Sequence, residues 1–425
     1  MSEADCLTMN IWAPDTGTRR KPVLLFAHGG SFCHGAGSEP DLSGAEIAAA
    51  GDVVVATINY RLGVLGFLDF SFLDEDFQPN CGVSDLVQAL KWIRANAEAF
   101  GGDPENITLF GQSAGAIMTS MLPVMPDAAS LVQRGICMSA SPTTLHSKRN
   151  AQILARQYME VAGLTKDSLV STDAAELAAR QKEFRAACGL GAGTFMPEVD
   201  GVLVRDHPIA AAARGDAIPV PLLLGTCREE MSLLFVKPVA DVLEISGILD
   251  AGTDAEPPGM NERIASGYDM FGKRGPAILM SDLVFRMGSV WLAEALSAHT
   301  DVWMYRFDFE TAAMRVSGMH TFHSCDIPFV FGNHECLKPR LMFLFSPLRS
   351  GIRRVTREMR QDFLAFARGE QLPWDACSGE YTPARCYGTP STVEQAVPQD
   401  IKDRYKGSMF RKRSFAGEDN NMRTG

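Results

Sequence analysis

The chain reads as an α/β protein with a mostly parallel central sheet and helices on both faces. Three observations carry that expectation. Unbroken apolar runs such as Val23–Ala27 and Val53–Asn59 have the character of strands buried on both sides. Amphipathic or alanine-rich segments of helical length separate them, at the spacing of βαβ units. Finally, Gly111-Gln112-Ser113-Ala114-Gly115 is a G-x-S-x-G placed between a strand-like Ile107–Phe110 and a helix-compatible Ala116–Leu122.

Taken in order, Leu7–Ala13 is strand-like and ends at Pro14. Pro22 opens the buried run Val23–Ala27, which is followed at once by His28-Gly-Gly-Ser-Phe32. A helix from about Gly44 to Ala50 leads to the strand Val53–Asn59. A long amphipathic helix starts near Asn80, with Leu86, Leu90, Ile93 and Ala97 on one stripe. Gly101 and Gly102, with Pro104 just beyond, stop it. After the serine turn come further strands at Gly135–Met138, Val220–Leu224 and Val302–Phe307, and a short piece near Tyr381–Tyr387. Two alanine-rich or loop-rich helical segments, about 147–190 and 233–298, interrupt this order. They are expected to be insertions over the sheet's C-terminal edge, where α/β proteins bind ligands. A helix fills about Gly351–Arg368, and the charged tail after about Pro398 is expected to fray.

With 425 residues, 46% of them hydrophobic, and no linker or repeat, the chain is expected to form one domain spanning 1–425. A net charge of −11 argues against nucleic acid as a partner, since phosphate binding needs a basic face. The ten cysteines include no C-x-x-C pair, so no zinc site is expected. Cys377 and Cys386 are close enough for a local disulfide, and free buried thiols fit equally well. No run of 18 apolar residues is present, so no transmembrane segment is expected. Met1–Asp5 has no basic-then-apolar leader, and no compartment follows from it.

A serine nucleophile needs a base, a group to orient the base, and donors for an oxyanion. The glycines of His28-Gly29-Gly30-Ser31 let backbone N–H groups approach a substrate oxygen. The N–H of Ala114, just past the serine, is the expected second donor. His28 belongs to the glycine turn. His146, His207 and His299 are surface-like and lack a motif, and His34 and His334 sit in loops. His320 and His323 lie after the last long strand, where a hydrolase's base is expected. Glu229 and Glu230, just past Gly225, are the candidate orienting carboxylates. The chain order is then serine, acid, histidine.

Six pieces together resemble the type-B carboxylesterase family, which includes cholinesterases and bacterial para-nitrobenzyl esterases. They are Asp5–Trp12, His28–Phe32, Asn59–Gly63, Phe100–Pro104, Phe110–Gly115 and His323–Gly332. The resemblance implies an α/β-hydrolase fold and a serine esterase needing no metal or organic cofactor. It implies Ser113 as nucleophile, His323 as base and Glu230 as third member, with Met231 where the family has glycine. It also implies oxyanion donors at Gly30, Ser31 and Ala114, with Gly29 as the turn glycine. Gln112 stands where cholinesterases have glutamate, so choline specificity is not implied. The family's N-terminal segment, with its choline-binding loop, is expected to be lacking, and Cys6 with it loses its usual disulfide partner. The expected partners are a small-molecule ester and, through uncovered apolar surface, a second copy of the chain.

Overall fold

A computed structural model describes residues 6–15, 20–232, 256–334 and 349–417. Its centre is a nine-stranded sheet. The strands are β1 (Met9–Trp12), β2 (Lys21–Ala27), β3 (Val54–Ile58), β4 (Gly102–Gln112), β5 (Arg134–Met138), β8 (Leu222–Cys227), β9 (Val302–Phe307), β10 (Pro383–Tyr387) and β11 (Thr392–Gln395). Two further short strands, β6 (His146–Ser147) and β7 (Glu198–Val199), pair only with each other. The order in the main sheet is β1-β3-β2-β4-β5-β8-β9-β10-β11. Only the outermost pairs, β1 with β3 and β10 with β11, are antiparallel. The sheet is therefore mostly parallel, as the alternating pattern implied.

Side-chain alternation in β2 explains why its run is apolar throughout. Val23, Leu25 and Ala27 enter one core, with Leu86, Leu90 and Ile93 of the helix Cys81–Asn96. Leu24 and Phe26 enter the other, with Val355, Met359 and Phe363 of the helix Arg349–Arg368. Each fully buried aliphatic or aromatic side chain is worth about 1.5–3 kcal/mol of transfer free energy. Two covered faces thus fix the register of the central strands.

The segment 147–190 forms three helices, Lys148–Ala162, Lys166–Ser171 and Ala174–Cys188. They pack beside the loop after β3, where Tyr158 meets Phe70 edge-on and Gln181 fills the space next to Gly63. In the second segment, residues 233–255 lie outside the described residues. The helices of Met260–Leu296 form an apolar stretch whose most apolar window is 89% buried within the protein.

The tail departs from expectation. Residues 399–404 and 409–416 are helical, and Ile401, Tyr405 and Phe410 are buried, the last packed against Trp291. Three apolar anchors hold this segment down despite its many charges. Cys377 and Cys386 are both buried free thiols. His146 and His207 are not surface residues; both are buried.

Candidate active site

Parallel strands bring the functional loops to one edge. The loop after β2 carries Gly29–Ser31, Ser113 directly follows β4, Glu230 follows β8, and His323 follows β9. Their order in the sheet, β2-β4-β5-β8-β9, sets them in a row.

Ser113 has φ 54° and ψ −117°, a conformation that L-residues rarely adopt. The helix Ala114–Ser120 begins at the next residue, so the serine projects at its N-terminus. Such a sharp turn needs glycine on both sides. A Cβ on Gly111 would collide with the backbone of Gly115, and one on Gly115 with the carbonyl oxygen of Ala27. Gly29 is constrained in the same way, because its Cβ would run into the side-chain oxygen of Gln112 and lie 3.1 Å from Cβ of Ser113. The glycine loop therefore rests directly against the serine turn.

That loop is wound unusually. Gly30 has φ 114°, while Ser31 and Phe32 have φ of 51° and 57°. Its carbonyls are tied back, Gly30 O accepting from Cys33 and His34 N–H and Phe32 O from Gly63 N–H. The N–H groups of Gly30, Ser31 and Ala114 meet no acceptor among the described residues. Free donors, one of them (Ala114) at a helix N-terminus, suit an incoming negative oxygen.

Glu230 is fully buried, and its Oε2 lies 2.7 Å from Nδ1 of His323. Its Oε1 accepts the Cys227 N–H at 2.6 Å, and its carbonyl accepts the His323 N–H at 2.9 Å. The carboxylate is thus held at both oxygens, and the imidazole is held by the carboxylate. Phe285 stacks on the ring, with centroids 4.7 Å apart. It comes from a π-helical turn, Asp282–Arg286, within the second helical segment.

The arrangement differs from the expected chain of contacts in one place. Ser113 Oγ makes no hydrogen bond to His323 among the described residues. Nε2 of His323 instead lies 3.2 Å from Nε2 of Gln112, which also donates to Ser324 Oγ at 2.7 Å. Gln112 and Ser324 adjoin Ser113 and His323 in the sequence, but nothing there announced their contact with each other, and Phe285 carried no signal at all. Asp326 sits behind the pair. Burial, then the Glu230 charge, push its carboxyl up to about 6, against a hydrogen bond from Tyr305.

Glu229 faces away from its neighbour. It is fully buried and ion-paired to Arg274, rather than solvated as an exposed acidic loop would be. Glu229, Glu310 and His320 come within 4.8 Å of one another, a set that could hold a cation. Arg274 already serves both carboxylates there. His320 pairs with Glu310 and belongs to this second cluster. A cavity of about 260 Å³ opens beside the glycine loop, bounded by His28, Gly30, Glu39, Gln112, Phe322 and Ser324.

Comparison with known proteins shows the family. Residues 1–254 match the model of the "Carboxylesterase family". The para-nitrobenzyl esterase of Bacillus subtilis (strain 168) is 34% identical over 403 residues, covering 92% of this chain and 80% of the relative. The fumonisin B1 esterase of Sphingopyxis macrogoltabida is 30% identical, covering 85% and 68%. A solved PNB esterase superposes with a TM-score of 0.81 at 32% identity, covering 94% of this chain and 85% of that one. With its parallel sheet, its serine turn and these relatives, the chain belongs to the type-B carboxylesterase family, as a carboxylic ester hydrolase of the α/β-hydrolase fold.

Proposed function

We propose that the chain cleaves carboxylic esters through an acyl-serine intermediate, with Ser113 as nucleophile, His323 as base and Glu230 orienting the base. The observation that carries this reading is the 2.7 Å contact between Glu230 and Nδ1 of His323, beside a serine held at a strand–helix turn. With Nδ1–H donated to Glu230, the Nε2 lone pair is left to take a proton. Ser113 Oγ attacks the ester carbonyl as its proton passes to Nε2. The new oxyanion accepts from the N–H groups of Gly30, Ser31 and Ala114, each such donor being worth about 10²–10³ in turnover. The imidazolium then protonates the leaving alcohol. Water, deprotonated by the same nitrogen, releases the acid and restores Ser113.

Ser113 must reach Nε2 for this to occur, and apo geometries of this kind commonly tighten on substrate binding. The experiment is covalent labelling by an organophosphonate, located by mass spectrometry, together with turnover of nitrophenyl esters of increasing chain length. Labelling at Ser113 and ester turnover are expected. An unlabelled, inactive protein that keeps its fold would favour the rival reading, a binding protein or impaired remnant on the same scaffold.

A further inference from the structure

The side chain of Gln112 is buried, at 3% exposure, and makes two polar contacts. Its backbone ends β4, paired with Met138 of β5. One amide hydrogen goes to Ser324 Oγ at 2.7 Å, and the other is aimed at Nε2 of His323 at 3.2 Å. The amide oxygen fills the space where a Cβ on Gly29 would otherwise stand. A neutral imidazole whose Nδ1–H is given to Glu230 has one in-plane lone pair, on Nε2. That lone pair is the one Ser113 needs.

Building on the reading above, we propose that Gln112 is a positioning residue for the base, an uncharged amide that docks on Nε2 of His323 in the resting enzyme and yields that nitrogen to Ser113 when an ester binds. An amide hydrogen can occupy the lone pair of the neutral ring without adding charge. A carboxylate at the same place can only accept, so it would favour the imidazolium.

Other groups around the ring are fixed in any comparison. Glu230 lies at Nδ1, and Asp326 and Cys325 share the ring's own loop. Cys227 comes from the end of β8, and the Arg286–Asp282 pair from the turn that carries Phe285. His28 stands on the glycine loop, its pKa lowered by burial. Because Asp326, its carboxyl pushed up to about 6, shares the ring's own loop, the informative quantity is the change between variants.

The test compares wild type, Gln112→Glu and Gln112→Met, measuring kcat/KM for a nitrophenyl acetate across pH and the rate of organophosphonate labelling at pH 8.5. Gln112→Glu is expected to move the acid limb upward by about one pH unit, as an opposite charge beside an imidazole does. Gln112→Met, of similar volume but with no donor, loses the hydrogen bond that favours the neutral ring, so its limb should also move upward, by less than that of Gln112→Glu, and it should label at least as fast as wild type. A limb that coincides with wild type in either variant would overturn the proposal. So would a folded Gln112→Met protein labelled more than tenfold slower. Failure of the base assignment itself looks different: wild type would then show no acid limb or no label at Ser113.

Discussion

The hydroxyl of Tyr305 donates to the carboxylate of Asp326 over 2.9 Å, directly behind the pair formed by Glu230 and His323. Tyr305 reaches it because Gly225, on the neighbouring strand β8, has no side chain; a Cβ there would occupy the tyrosine ring. Asp326 is nonetheless an acid in an apolar setting beside a second carboxylate. Its folded-state pKa of about 6 lies above its ordinary 3.8. The stability it contributes is full below the ordinary value and is lost as pH rises through about 6, on the order of 2–3 kcal/mol in all. Asp326→Asn keeps an acceptor for Tyr305 and should remove this loss. Thermal unfolding at pH 5 and pH 7.5 checks it: the variant should gain on wild type between the two. A constant difference would refute the assignment.

Glu198 supplies a second and separate pH dependence. Burial, then Asp69 and Asp200, push its carboxyl up to about 8, with Lys148 pulling the other way. Stability present at pH 4 is therefore lost progressively up to and through pH 8. Glu198→Gln should match wild type in acid and exceed it at pH 9, by several degrees in Tm. Parallel melting curves at every pH would count against a buried, proton-holding Glu198.

His323→Ala is expected to abolish ester turnover, whereas His320→Ala should lower it far less. The two rings sit three residues apart but bond to different carboxylates, Glu230 and Glu310. Steady-state rates on one nitrophenyl ester decide this, and an exchange of the two phenotypes would mean the base is His320.

Glu230→Gln should reduce kcat by up to about 10⁴ while the fold persists, through loss of the orienting charge. Glu229→Gln acts elsewhere. It takes a fully buried carboxylate from the partly exposed Arg274, so its cost should fall on stability, about 1–3 kcal/mol, with kcat changed by less than tenfold. Paired denaturation and turnover measurements on both variants separate these effects.

How much of this could be read from the sequence follows from the range of the interactions. β2 and β5 declared themselves because their central stretches, Val23–Ala27 and Gly135–Met138, are buried on both faces and carry no charge, while β9 stayed legible despite Arg306. The serine turn did so because sterics admit almost nothing but glycine at Gly111 and Gly115. The tail did not, since the charges among Gln399–Arg404 and Met409–Ala416 hide three buried anchors, Ile401, Tyr405 and Phe410. His146 and His207 looked exposed because a lone histidine carries no pattern that reports burial. The contact between Gln112 and His323 joins residues 211 apart, and no local rule reaches that far. Glu229 and Glu230 show the limit within a single dipeptide. Adjacent side chains leave the backbone in different directions, and only the neighbours reveal which one meets a histidine.

The row of loops along one sheet edge also bears on biosynthesis. β4 and its serine turn are translated long before β8 and β9, which deliver Glu230 and His323. Parallel pairing forbids those strands from completing the edge until the intervening helices have formed. A nascent chain halted after β5 thus carries a serine with no acid and no base. If Ser113, Glu230 and His323 act as proposed, the order of the strands delays hydrolysis until synthesis has passed β9.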